Sequence, residues 1–137
     1  KVSLLKNETI KYLLDGCKAE SSLYWTNDGI NCKARLDAIT IDGWIIDLKT
    51  ARSSGNDQFG KSIDFFGYDV QAMWYAMAYR NVFKESPAGF LWIIIEKEPP
   101  YISNIIQAES WVMTSGNEKI SKAIDVFKEC TKTGKWE

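Results

Sequence analysis

The 137 residues are 45% hydrophobic and 26% charged, with a formal net charge of −1 and no histidine. That is enough chain for one domain with a real core, and the near-neutral charge excludes a global basic field that would gather nucleic acid unaided. Cys17, Cys32 and Cys130 form no C-x-x-C pair, which disfavours a zinc site or an iron–sulfur cluster and suits small core residues in a reducing cytosol.

In chain order, "NETIKYLLDG" predicts a short helix with Asn7 as N-cap and Gly16 as its stop. "ESSLYWT" (20–26), "INCKARLDAIT" (30–40) and "WIIDLKT" (44–50) predict three strands joined by the "NDG" and "IDG" turns, an antiparallel meander. Residues 52–67 are polar and glycine-bearing and are expected to form a mobile loop ending in a short turn. "YDVQAMWYAMAYRNVF" (68–83) predicts a strong helix, and "GFLWIIIEKE" (89–98) a strand buried on both faces and ended by Pro99 and Pro100. "YISNIIQ" (101–107) predicts a further strand, and 109–132 a helix with Trp111, Met113, Ile120, Ile124 and Phe127 on its inner side. The order α-βββ-α-ββ-α implies an α/β fold, a mixed central sheet flanked by helices.

The apolar run at 89–95 is too short to span a bilayer, and "KVSLLKNETI" lacks the apolar length and cleavage site of a signal peptide. A membrane partner is therefore not expected, and the expected location is cytoplasmic. The chain opens without methionine, so residues 1–137 are expected to be a single domain that is either a mature fragment or lacks upstream residues.

Charge inside the meander is the unusual feature. With a three-residue turn at 41–43, Thr40 faces Trp44, Asp37 faces Asp47 and Arg35 faces Lys49; a two-residue Asp-Gly turn makes the aspartates diagonal neighbours instead. In either case their Cβ atoms lie roughly 4.5–8 Å apart. Strand alternation puts Ile45, Asp47 and Lys49 on one face, away from Trp44, Ile46 and Leu48. Facing carboxylates repel unless a divalent cation sits between them, and Mg²⁺ prefers a few carboxylates with water and phosphate. A lysine beside such a pair can orient an attacking water and offset charge on a phosphate. Glu20 heads the neighbouring strand and is within reach, its facing open by one residue.

A D-x-K on a solvent-facing hairpin is also a common surface pattern, in which Asp37 and Lys49 form an ion pair of little consequence. The extra acid and the downstream helix weigh against that. Gln71, Tyr75 and Tyr79 share one helix face; Tyr79 suits packing, whereas the Gln71 amide on an apolar face needs a polar neighbour.

"CKARLDAI…WIIDLKTARS…FGYDVQAMWYAMAYR" resembles the PD-(D/E)xK nuclease superfamily, and within its RecB-like branch the RecE/exonuclease VIII-type catalytic domain of phages and prophages. Asp37 matches the first aspartate, Asp47-Leu48-Lys49 the (D/E)xK element, and Gln71 with Tyr75 the QxxxY element. The likeness covers residues 20–80 and, more faintly, the terminal "KECTKTGKW". It implies Mg²⁺, for which Mn²⁺ substitutes, held by Asp37, Asp47 and the Leu48 backbone carbonyl, with Lys49 assisting the water and Gln71 in the catalytic set. Leu36 replaces the proline of the family name, and the upstream histidine of RecB-like members has no counterpart; either it lies in missing residues or one metal is held weakly.

The implied activity is degradation of duplex DNA from its ends, 5′→3′, by a ring-shaped homo-oligomer that feeds single strands to an annealing protein. Arg35, Arg52 and Lys61 are candidate phosphate contacts beside Tyr75, although each equally suits a solvated surface. An endonuclease of the same superfamily and a non-catalytic DNA-binding or assembly module are the competing functions.

Overall fold

The alternating segments of the N-terminal half fold as a meander, and the continuous apolar run after them becomes the centre of the sheet. The structure is a computed structural model that describes residues 7–137. Helix α1 (Glu8–Leu14) starts where the Asn7 side chain accepts the Thr9 and Ile10 N–H groups. Strands β1 (Lys18–Asn27), β2 (Ile30–Ile39) and β3 (Trp44–Ala51) follow, then helices α2 (Asn56–Phe65) and α3 (Tyr68–Phe83). Strands β4 (Gly89–Glu96) and β5 (Ser103–Gln107) precede the long helix α4 (Ser110–Thr133). Among the described residues no helix is long and apolar enough to cross a membrane.

The sheet order is β1-β2-β3-β4-β5. Only β3 and β4 run parallel, with α2 and α3 supplying the crossover a parallel pair needs, and the other neighbours are antiparallel. The fold is thus α/β with a mixed central sheet. Strand β4 is the buried centre: Phe90, Trp92 and Ile94 enter the main cluster with Phe59 and Val112, while Leu91 and Ile93 pack with Ile10 of α1 on the opposite face. Truncating Trp92, which is fully buried, to alanine costs about 3–5 kcal/mol.

Two expectations are corrected. Residues 56–65 are helical rather than loop, because Phe59 and Ile63, one turn apart, are both buried against the sheet. In α4 the inner stripe is Val112, Gly116 and Ile120; Trp111 and Phe127 are exposed. Gly116 takes the middle position because a Cβ there would overlap the Asp69 carbonyl oxygen of α3.

The β1–β2 register runs from Lys18↔Ile39 to Asn27↔Ile30 but skips Glu20, whose φ of 49° is left-handed. Opposite that break β2 loses its alternation: Cys32, Ala34 and Leu36 enter the main cluster, but so does Ile39. The β1–β2 register is the same on both sides of that gap, so the change of face lies within β2, and it decides which residues of β2 and β3 meet on the core side. The Ile39↔Ile45 pair lies in the main cluster, and two residues further along each strand stand Asp37 and Asp47.

Candidate active site

Strands β2 and β3 share only two ladder pairs, Ala38↔Ile46 and Ile39↔Ile45. Beyond them the Leu48 N–H donates to Asp37 Oδ2 at 2.8 Å, so a side chain takes the place of the next main-chain acceptor. The three-residue turn register expected from the sequence is the one observed, but Asp37 and Asp47 stand where the strands part, not within the ladder. Arg35 and Lys49 do not face each other across a continuous ladder either.

Asp47 is 2% exposed. Its Oδ2 lies 2.8 Å from Lys49 Nζ, in an ion pair, and has no other polar partner. Oδ1 accepts a long bond of 3.4 Å from Gln71 Nε2. Burial pushes the Asp47 carboxyl up to about 6; Lys49 pulls it down, and the neighbouring Asp37 carboxylate pushes it further up.

Lys49 is held on three sides. Besides Asp47, its Nζ donates to Gln71 Oε1 at 2.7 Å and stands 4.5 Å from the centre of the Tyr68 ring. Gln71 Nε2 also donates to the Tyr75 hydroxyl at 3.1 Å. The amide therefore presents its oxygen to the cation and its nitrogen to the carboxylate and the phenol, which is the polar neighbourhood its place on α3 required.

A divalent cation fits this donor set. Asp47 Oδ2 is a buried anionic oxygen whose one polar partner is the Lys49 ammonium, and Asp37 has committed only Oδ2 to the Leu48 amide. Among the described residues no group of three or more His, Cys, Asp or Glu forms a cage. Two carboxylates completed by water and phosphate match the preference of Mg²⁺.

The remaining candidates are placed elsewhere. Glu20 does not join the cluster: it pairs with Arg35 at 3.0 Å, with side chains 73% and 66% exposed respectively. Lys61 projects from the outer side of α2, and Arg52 is exposed just past β3, on the wall of a groove that also contains Lys49. Tyr68, absent from the sequence-derived set, underlies the lysine; its position one helical turn before Gln71 was the available signal.

Residues 2–137 match the model of a family described as "PDDEXK-like domain of unknown function (DUF3799)". The chain belongs to this family. As a PDDEXK-like domain it has the fold class of the PD-(D/E)xK nucleases, in agreement with the resemblance carried by Asp37 and Asp47-Leu48-Lys49. The chain is similar to the crystal structure of a protein from Eubacterium rectale described as a "Putative exonuclease", with a TM-score of 0.80 and 17% identity. That superposition covers 99% of this chain and 52% of the other, so the chain spans about half the length of that relative. A second solved structure, SSO0001, superposes with a TM-score of 0.46 and 16% identity over 88% of this chain and 56% of that one. No curated protein matches the sequence.

Proposed function

We propose that this PDDEXK-like domain is a Mg²⁺-dependent deoxyribonuclease that degrades duplex DNA from its ends, 5′→3′, as a RecE-like exonuclease in phage-type recombination. One observation carries the reading. A buried, donor-poor Asp47 and the Asp37 carboxylate meet at the fork of β2 and β3, with Lys49 fixed beside them by Gln71. A surface ion pair needs no such burial or bracing.

Asp37, Asp47 and the Leu48 carbonyl are the groups that would hold the cation, which would supply Lewis-acid stabilisation of charge on the phosphate. The chain's own residues do the rest. Gln71 and the Tyr68 ring restrict Lys49 to one position, so its ammonium is preorganised against the scissile phosphate and the attacking water. Water adds at phosphorus as the P–O bond to the departing nucleotide breaks. The proposed assembly is a homo-oligomeric ring around duplex ends that passes single strands to an annealing protein; enclosure then does for a chain of net charge −1 what a large basic patch does elsewhere.

The test is digestion of linear and covalently closed duplex DNA with Mg²⁺, alongside Asp47→Ala and a chelator control. Loss of the linear form alone, abolished in the variant, is the expected result. Cutting of the closed circle would assign the site to an endonuclease, and an inert parent protein that also shows no Mn²⁺-dependent rise in thermal midpoint would assign the fold to a binding module.

A further inference from the structure

A groove of about 460 Å³ opens beside the site and shares Lys49 and Tyr68 with it. Its other functional walls are Arg52 from the end of β3, Lys97 from the end of β4, and Ser62 and Phe66 from α2 and its C-terminal end. Arg52 and Lys97 are exposed, and among the described residues neither side chain has an ion pair or hydrogen bond. Of the two acids that flank Lys97 in sequence, Glu96 is turned to Ser54, whose N–H and hydroxyl donate to it at 2.9 and 3.0 Å, and Glu98 is exposed and makes no ion pair among the described residues. The cations are thus left without a competing carboxylate partner.

The aromatic wall is equally unusual. Phe66 is 61% exposed; it stacks on Tyr68, with ring centres 5.5 Å apart and an interplanar angle of 25°, and meets Phe65 at right angles with ring centres 4.9 Å apart. Tyr68 in turn carries Lys49 over its ring. An aromatic ladder thus runs from solvent to the lysine of the site. Unpaired cations that track phosphates, combined with an exposed aromatic ring against which a base can stack, are the composition of a single-strand groove. Paired bases within a duplex present no free face to such a ring.

We infer that this groove is a single-strand subsite, holding the unpaired nucleotides that adjoin the scissile phosphate, with Arg52 and Lys97 on backbone phosphates and a base stacked on Phe66. The inference rests on the nuclease reading and adds to it the form of the substrate: the end of the cut strand is unpaired before hydrolysis. It selects Arg52 among the three basic residues read from the sequence and adds Lys97, Ser62 and Phe66.

The experiment is fluorescence anisotropy of a labelled oligothymidylate of about eight nucleotides, within the range of single-strand sites, and of an abasic strand of equal length. Both are titrated in chelator over a series of salt concentrations. Arg52→Ala/Lys97→Ala should weaken oligothymidylate binding and flatten the slope of log affinity on log salt by about 1.4, the value for two lost single-strand contacts. Phe66→Ala should weaken it roughly 5- to 150-fold with the slope unchanged, the abasic strand should show no such loss, and Phe66→Trp should restore binding. All three side chains are exposed, so thermal midpoints should stay near the parent's and serve as the folding control. Unchanged binding in both variants, or an abasic strand bound as tightly as oligothymidylate, overturns the subsite. Digestion of linear duplex separates the two ideas. A parent that cuts while the variants bind and cut like it sinks the subsite alone, and a parent that binds through these residues without cutting keeps the subsite and sinks the nuclease.

Discussion

A carboxylate buried as deeply as Asp47 destabilises the fold while it is ionised and unliganded, and Lys49 offsets only part of that cost. Its folded pKa of about 6 lies above the ordinary 3.8, so between those values the folded chain binds more protons than the unfolded one. Stability held at low pH is therefore lost as pH rises through that window. Removing the ionisation with Asp47→Asn should raise the midpoint of the metal-free protein relative to the parent as pH climbs from 4 to 7, by a ceiling of about 3 kcal/mol. Parallel melting curves for the two proteins across that range would rule this out. The same substitution should abolish cutting. Gln71→Ala, which frees Lys49 Nζ and removes a donor from Asp47, should lower kcat more than it raises KM in steady-state digestion. At this scale much of the site was legible. Asp37, Asp47 and Lys49 followed from strand alternation and turn register, and Gln71 from the apolar face it interrupts. Glu20 was not legible, because a left-handed residue inside a strand follows from packing of the whole hairpin, and nothing in "AESS" announces it.

Among the elements, β2 and β3 carry the carboxylates and the lysine, α3 braces them, and α4 fixes α3. The close approach at Gly116 leaves no room for a side chain: a Cβ would collide with the Asp69 carbonyl and sit 2.8 Å from Met73 Cβ. Gly116→Ala should lower the thermal midpoint by about 4–12 °C, the effect of overpacking by 1–3 kcal/mol in a chain of this size. Activity should fall with it, since Gln71 moves with α3; a calorimetric scan and a digestion assay read the two effects. Asp69 locks the same joint. Burial alone would raise its carboxyl, but Lys119, Ser115 and the Val70 N–H outweigh that and hold it below the usual range. Its contribution is thus complete above the ordinary carboxylate pKa and is lost as pH falls through the lower folded value, opposite in sign to Asp47. Helix α2 escaped the sequence reading because Gly55, Gly60 and three serines mask a two-residue apolar repeat, Phe59 and Ile63. In α4, Met113 and Ile120 do pack inward, but Trp111 and Phe127 were misassigned for a related reason: a glycine occupies the centre of the true stripe, and large aromatics beside it drew the assignment.

For the molecule as a whole, the α/β class was readable from element order, whereas the parallel pairing of β3 with β4 came from the structure, since strand neighbours are settled by long-range contacts. Net charge does not report local clustering: with −1 overall, Lys49, Arg52 and Lys97 still gather in one groove. The two ladder pairs between β2 and β3 have a mechanical consequence. Asp37 rides on the β1–β2 hairpin, Asp47 on the β3–β4–β5 slab, and the backbone hardly couples the two. Helix α3 couples them instead. Its Trp74 packs on Trp25 at 5.0 Å and donates to the Lys33 carbonyl at 3.1 Å, while its Gln71 grips Lys49 and Asp47. The carboxylates behave as the jaws of a caliper, and Trp74, remote from both, is its setting screw. Trp74→Ala should loosen Mn²⁺ binding several-fold in calorimetric titration with both ligands intact; an unchanged affinity would mean that the short ladder alone sets the gap.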